Sequence, residues 1–243
     1  MPRAIVTGGG RGIGRATALA LAAAGWDVLV TWHRDRDSAE ATVRQIASTG
    51  RRADSTSYTL GDRASARALV AHVEQLWGGL DLLVNNAGGL VQKPWLTISD
   101  AEWDDMLAIN LRGVFQLCQE AFPFLQTSSG SIVNVSSIGG QTGGTLAMHY
   151  AASKAGVISI TRSLARVGAP AVRCNAVAPG LIETEMTKEE RASAAAATKL
   201  AQIPAGRVGL PEEVAGAIVF LASPAAAYIS GQVLSINGGA FLA

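Results

Sequence analysis

With 243 residues, 49% of them hydrophobic and 16% charged, the chain is long enough to bury a large core. Twenty basic residues against nineteen acidic ones leave a net charge of +1, and no basic stripe marks a nucleic-acid partner. No apolar run reaches the ~20 residues of a membrane span, the N-terminus runs into a strand with no signal peptide, and Cys118 and Cys174 lie in apolar surroundings, so a reducing cytoplasmic setting is expected and a disulfide framework is not.

Apolar runs and helical runs alternate from the start. Ala4–Thr7 reads as a strand ending in a glycine cluster, and Ile13–Ala24 as a helix stopped by Gly25. Asp27–Trp32 is a second strand, Ser38–Ser48 a helix closed by Gly50, Ser55–Leu60 a weaker strand and Ala64–Trp77 a helix. Leu80–Val84 is a strand entering Asn85-Asn-Ala-Gly88. Ser99–Leu125 is one long helix or two, with Pro123 as the interruption. Gly130–Ser136 is a strand entering a Gly-rich turn, Ala147–Val167 a helix and Val172–Val177 a strand. Pro211–Ala222 is a helix opened by proline, and Gln232–Ile236 a last strand. Strands alternating with long helices mean βαβ units, so the expected fold is α/β: a single-domain, doubly wound, seven-stranded parallel sheet of Rossmann type with helices on both faces. The stretch Glu189–Leu200, rich in Ala, Lys and Glu, is helix-prone and is either a lid or a surface helix.

Thr7–Gly14, "TGGGRGIG", leaves the first strand and opens the first helix. Gly8, Gly12 and Gly14 let the backbone turn sharply, and the helix N-terminus behind them offers free N–H groups to a dinucleotide pyrophosphate. In NAD-binding versions of this turn an acidic residue ends the second strand and accepts from the ribose hydroxyls. Here that position is Trp32, followed by His33 and Arg34. Trp32 accepts nothing from a hydroxyl, whereas Arg34 and Arg11 suit a 2′-phosphate, so NADP(H) is favoured over NAD(H). Asp35 is the alternative, an acid within reach of a ribose.

Tyr150 and Lys154 stand four apart and share a helix face. A tyrosine ordinarily ionises near pH ~10, and a neighbouring ammonium should pull that value down, making the phenol a general acid/base for a carbonyl or an alcohol. Ser137 follows a strand at the end where open α/β sheets bind ligands, and a hydroxyl there suits an oxyanion; the same Ser-Ser-Ile-Gly-Gly stretch also suits a plain turn. Asn110, inside the apolar run "MLAINLRGVF", holds a partner or a water, or is a buried structural amide.

These motifs, with Asn175-Ala-Val-Ala-Pro-Gly180, resemble the short-chain dehydrogenase/reductase family over essentially the whole chain. The resemblance implies that Tyr150 is the general acid/base, that Ser137 orients the carbonyl, and that Lys154 binds the nicotinamide ribose and lowers the Tyr150 pKa. It implies that Asn110 holds a water relaying protons to Lys154, and that Pro179, Gly180, Ile182 and Thr184 line the nicotinamide pocket beneath a substrate lid at about 184–206. Further cofactor contacts are expected at Gly8, Arg11, Gly12, Ile13 and Gly14, at Trp32, His33 and Arg34, at Thr59 and Leu60, and at Asn86, Ala87 and Gly88. No metal site is expected, and members of the family are commonly homotetramers built through two long helices and the C-terminal region.

The C-terminal stretches "PAGRVGLPEEVAGAIVFLAS" and "SGQVLSINGG" resemble 3-oxoacyl-[acyl-carrier-protein] reductases. Two positions depart from that pattern. Thr59-Leu60 stands where Asp-Val is usual, weakening the adenine contact. The basic residues that dock an acidic carrier are missing from "FPFLQTSSGS" and nearly so from "VGAPAVRCN". The expected activity is therefore NADPH-dependent reduction of a small-molecule ketone or acyl thioester. The alternatives are a carrier-protein reductase, an alcohol dehydrogenase in the oxidative direction, and a nucleotide sensor without turnover. Trp95, Met148 and Met186 are either pocket-lining or packing residues.

Overall fold

The computed structural model of the chain describes residues 1–194 and 196–242. Its layers follow from the two-residue period of the buried strands. In β1 (Arg3–Val6), Ala4 and Val6 enter one core and Ile5 the other. The same division recurs in β2 (Asp27–Trp32), where Val28 and Val30 oppose Leu29, in β4 (Leu82–Asn85), where Leu82 and Val84 oppose Leu83, and in β5 (Ser131–Val135), where Val133 and Val135 oppose Ile132. Such strands must be covered on both faces. One face packs on α1 (Gly12–Ala23), α2 (Arg36–Ala47) and α10 (Pro211–Ala222) through Leu21, Ile46 and Ile218. The other packs on α3 (Arg63–Trp77), α5 (Gly113–Ser128) and α7 (Met148–Gly168) through Leu69, Leu117 and Val157.

With β3 (Ala53–Ser57), β6 (Arg173–Pro179) and β7 (Val233–Ile236), the sheet has seven strands in the order β3-β2-β1-β4-β5-β6-β7, all parallel. The winding reverses between β1 and β4, which opens a crevice at their carboxyl ends. No helix among the described residues is long and apolar enough to cross a membrane.

Three expected boundaries move. β3 ends at Ser57 rather than reaching Leu60, because its partner β2 ends at Trp32, opposite Ser57. Pro123 does not interrupt its helix. It is exposed within α5, where the carbonyl that loses its amide partner faces water. The break lies instead at a π-turn, Ala108–Arg112, between α4 (Asp100–Leu107) and α5. The helix-prone Glu189–Leu200 stretch holds two short helices, α8 (Lys188–Ala192) and α9 (Ala196–Ala201). A one-turn α6 (Gly139–Thr142) precedes α7.

Candidate active site

The glycine turn is held by close approach. Gly8 (φ 66°) and Gly12 (φ 52°) occupy the left-handed region, which other residues enter at a cost. A side chain on Gly14 would overlap the Gly8 carbonyl oxygen and come within 2.5 Å of Asn86 Nδ2. The turn is tied to the loop after β4: Thr7 Oγ1 accepts from the amides of Asn86 and Ala87, each at 2.9 Å, and Asn86 Nδ2 donates to the Thr7 carbonyl at 2.8 Å. Gly8 and Ala87 are packed so closely that a Cβ on Gly8 would sit 3.2 Å from the Ala87 Cβ. The glycine turn, Asn86 and Ala87 therefore form one wall of the crevice. Ile13 lies in the first turn of α1 behind it, and Thr184 reaches over Gly12, whose Cβ would be 3.2 Å from Thr184 Cγ2.

At the end of β2, Asp35 is engaged. Its carboxylate accepts from the Ser38 amide at 3.1 Å and the Ser38 hydroxyl at 2.7 Å, capping α2. These bonds, with Arg11 nearby, hold its pKa below the usual carboxylate value. Arg11 and Arg34 are exposed. Thr59 Oγ1 lies 3.5 Å from His33 Nδ1, and its backbone amide donates to Ser65 Oγ at 2.9 Å; Leu60 follows in the same loop.

The second cluster stands at the carboxyl end of β5. Ser136 Oγ donates to the Lys154 carbonyl at 2.9 Å, pinning α7 to the strand. Lys154 Nζ donates to the Val135 carbonyl at 2.8 Å and lies 5.8 Å from the centroid of the Tyr150 ring. A Cβ on Gly88 would sit 3.5 Å from Lys154 Nζ and 2.7 Å from Asn110 Oδ1, so the loop after β4 closes this side too. Ser137 Oγ accepts from the Gly139 amide at 3.1 Å, which leaves its proton free to donate elsewhere. A Cβ on Gly139 would contact both Ser137 Oγ and Tyr150 Cε1, at 3.5 and 4.0 Å. Ser137, Tyr150 and Lys154 thus meet at one place. Pro179 and Gly180 end the neighbouring strand, the Pro179 carbonyl accepting from the Ile138 amide at 2.8 Å, and Ile182 is buried just beyond.

The electrostatics differ from the sequence expectation. Burial pushes the Tyr150 phenol above its usual value. A hydrogen bond with Ser137 pulls it back, and the Glu190 carboxylate raises it further. The same burial weakens Lys154 as a cation, lowering its pKa to about 8. Burial thus shifts the phenol in the direction opposite to the one expected from a neighbouring ammonium.

Asn110 also departs from a simple water holder. It is fully buried in the π-turn, its Nδ2 donating to the Gly89 carbonyl at 2.8 Å and its Oδ1 accepting from the Gly89 amide at 2.9 Å. Its side chain clamps the loop that faces Lys154. Reading the sequence alone passes over Thr7 as the hub of the glycine turn, and over Asn134. Asn134 accepts from Asn85 at 2.8 Å and donates to Thr161 at 2.9 Å beneath the site. A buried Asn in the apolar strand "SIVNV" is the signal for the latter. Glu190 and Gln92, 3.2 Å apart across the mouth, carry no local signal at all.

Residues 8–240 match the family model described as Enoyl-(Acyl carrier protein) reductase. A 3-oxoacyl-[acyl-carrier-protein] reductase FabG of Staphylococcus aureus is 39% identical, over 98% of each chain. One from Thermotoga maritima is 40% identical over 97% of this chain and 96% of its own. The crystal structure of a short-chain dehydrogenase/reductase from Brucella melitensis superposes with a TM-score of 0.93 at 37% identity, covering 100% of this chain and 97% of that one. With the glycine turn, the Asn-Asn-Ala-Gly loop and the Ser137–Tyr150–Lys154 cluster assembled on one sheet edge, the chain belongs to the short-chain dehydrogenase/reductase family.

Proposed function

We propose that the protein is an NADPH-dependent reductase that delivers hydride to a ketone, with Tyr150 as the general acid. The observation that carries this is the meeting of Ser137, Tyr150 and Lys154 at the carboxyl end of the sheet, against the loop that is tied to the glycine turn. A cradle of positive-φ glycines at a helix N-terminus fits a dinucleotide pyrophosphate. Commitment of Asp35 to capping α2, with Arg11 and Arg34 exposed beside it, fits a 2′-phosphate better than a free 2′-hydroxyl. A nicotinamide dinucleotide, when bound, supplies the hydride.

The chain's own groups do the rest. Ser137, whose Oγ already accepts from Gly139, donates a hydrogen bond to the substrate oxygen, keeps its own proton and orients that oxygen. Tyr150 OH gives its proton to that oxygen as negative charge develops there. Lys154, fixed on Val135, holds a positive charge beside the phenolate that forms. Pro179, Gly180, Ile182 and Thr184 wall the nicotinamide side, and the segment at about 184–206 acts as a lid. Asn110 holds the Gly89 loop against this group and a water that relays protons to Lys154.

A second reading, reduction of a 3-oxoacyl thioester on a carrier protein, is favoured by the names of the relatives. Against it stands "FPFLQTSSGS", which lacks the basic residues for an acidic partner. The same groups run backwards on an alcohol when the cofactor pool is oxidised. The protein works in the cytoplasm as a homotetramer.

Replacing Tyr150 with Phe tests the central claim. NADPH oxidation across a ketone panel should fall by about 10²-fold or more, while NADPH binding, followed by fluorescence, stays within a few-fold. A variant that reduces ketones at the parent rate rejects the mechanism, and a parent that binds NADPH but oxidises none of it with any ketone makes the protein a sensor.

A further inference from the structure

The segment after β6 crosses the crevice. At its root Ile182 is buried, and the Glu183 amide donates to the Gly209 carbonyl at 2.8 Å. Thr184 lies over Gly12 of the glycine turn. Further on, Glu190 of α8 reaches the loop after β4, where Gln92 Nε2 donates to its Oε2 at 3.2 Å. Gln92 follows Gly88 in that loop, and Gly88 adjoins Lys154 Nζ. Residues 184–190 therefore form a strap from the glycine turn to the Lys154 side of the site.

The tip of this strap has little else to hold it. No residue of the turn Glu185–Thr187 or of α8 is buried, and Met186, a candidate pocket-lining residue, is half exposed. A helix as short as α8 is not stable by itself. Lys188 and Arg191 pair with Glu185 and Glu183, inside the same segment. Among the described residues, Gln92 is the one hydrogen-bond or ion-pair partner that α8 has outside residues 183–199. Both sides of that bond are braced. Lys199 of α9 pairs with the other oxygen of Glu190, Oε1, which fixes the carboxylate with Oε2 turned to Gln92. Next to Gln92, the Lys93 amide donates to the Leu146 carbonyl at 2.6 Å and its ammonium pairs with Glu102 at 2.7 Å, so the receiving loop is a fixed post.

We propose that Gln92 is a positioning residue that latches the strap closed through Glu190 and so retains the dinucleotide in the crevice. The inference rests on the reductase reading above for the identity of what is retained. A dinucleotide held by the glycine turn and by Lys154 has one anchor of the strap beside each of those places, and its release waits on the parting of Glu190 from Gln92. Such an opening is local and needs no global unfolding.

Trypsin reads the strap directly, because Lys188 and Arg191 lie in it and cleavage there tracks the opened population. In the protein without cofactor, Gln92→Met keeps the side-chain length and removes the donor. It should be cut after Lys188 and Arg191 about fivefold faster or more than the parent, with an unchanged thermal midpoint. Gln92→Glu, which sets a carboxylate against Glu190, should be cut at least as fast. NADPH release, followed by stopped-flow fluorescence, should quicken in Gln92→Met by a similar factor. Glu190→Ala removes the partner, so adding Gln92→Met to it should change neither rate further. Cleavage or NADPH release at the parent rate in Gln92→Met overturns the proposal, as does an undiminished effect in the Glu190→Ala background. Faster cutting throughout the chain with a lowered midpoint marks general loosening and overturns it too. A parent that binds no NADPH defeats the reductase reading instead, and the cleavage rates alone then sustain or overturn the latch.

Discussion

Lys154 is a weakened cation beside a strengthened phenol, and the pair sets a pH window. Below about pH 8 the ammonium is present and Tyr150 is protonated, so both forms needed for proton donation coexist. As pH rises through about 8, Lys154 loses its proton first, because burial lowers its pKa while raising that of Tyr150. The reductive kcat/KM should therefore be level through neutrality and fall by up to about tenfold per unit above that point. Lys154→Arg, whose guanidinium stays charged, should push the fall to higher pH at reduced rate. A parent profile that stays level to strongly alkaline pH contradicts the assignment. Tyr150, Lys154 and Ser137 were readable because spacing and strand ends speak for them. The direction of the Tyr150 shift was not, because a sequence shows which charge is near but not how much water has been removed. Glu190 was unreadable for a related reason: it reaches Gln92 only through the folding back of the lid segment.

The interruption between α4 and α5 carries a function that the exposed Pro123 does not. A π-turn admits an extra residue and commonly sits at functional sites. Here it turns Asn110 onto Gly89, where one amide side chain satisfies both backbone groups of that residue. Asn110→Ala leaves the half-buried backbone N–H and C=O of Gly89 without their side-chain partner, at up to about 1–3 kcal/mol for each group. The expected result is a thermal midpoint lowered by roughly 4–15 °C, together with slower turnover, since Gly88 next to the clamp adjoins Lys154 Nζ. Asn110→Asp, which keeps the acceptor and loses the donor, should fall between the two. An unchanged midpoint in the alanine variant removes the clamp from the account. Periodicity reveals elements through apolar content, which is why β1, β2, β4 and β5 fall where they are expected. It fails at β3, where Ala53–Ser57 reads "ADSTS" and pairs only as the edge of the sheet. It also fails at the π-turn, because one inserted residue leaves the apolar pattern on both sides intact.

Two separate regions of the molecule leave apolar side chains in water, and together they make a prediction about assembly. On the layer of α5 and α7, Phe115 and Val167 are exposed, the latter by 70%. At the far edge of the sheet, Phe220 of α10 and Leu234 of β7 are exposed, with Tyr228 between them in sequence. β7 has a partner on one side only, so it presents an unpaired edge of the kind that proteins cover. A homodimer formed about a two-fold axis would bury one such region, and a second axis would bury the other, which would close a tetramer. Light scattering should then give four times the 25.0 kDa chain mass. Phe115→Glu alone, or Phe220→Glu with Leu234→Glu, should each halve that mass, because a buried unpaired carboxylate breaks one interface and leaves the other. Combining the substitutions should yield a single chain with reduced stability, since the two interfaces act independently. A mass equal to one chain in the parent protein, or a tetramer that survives both sets of substitutions, excludes these faces as the contacts.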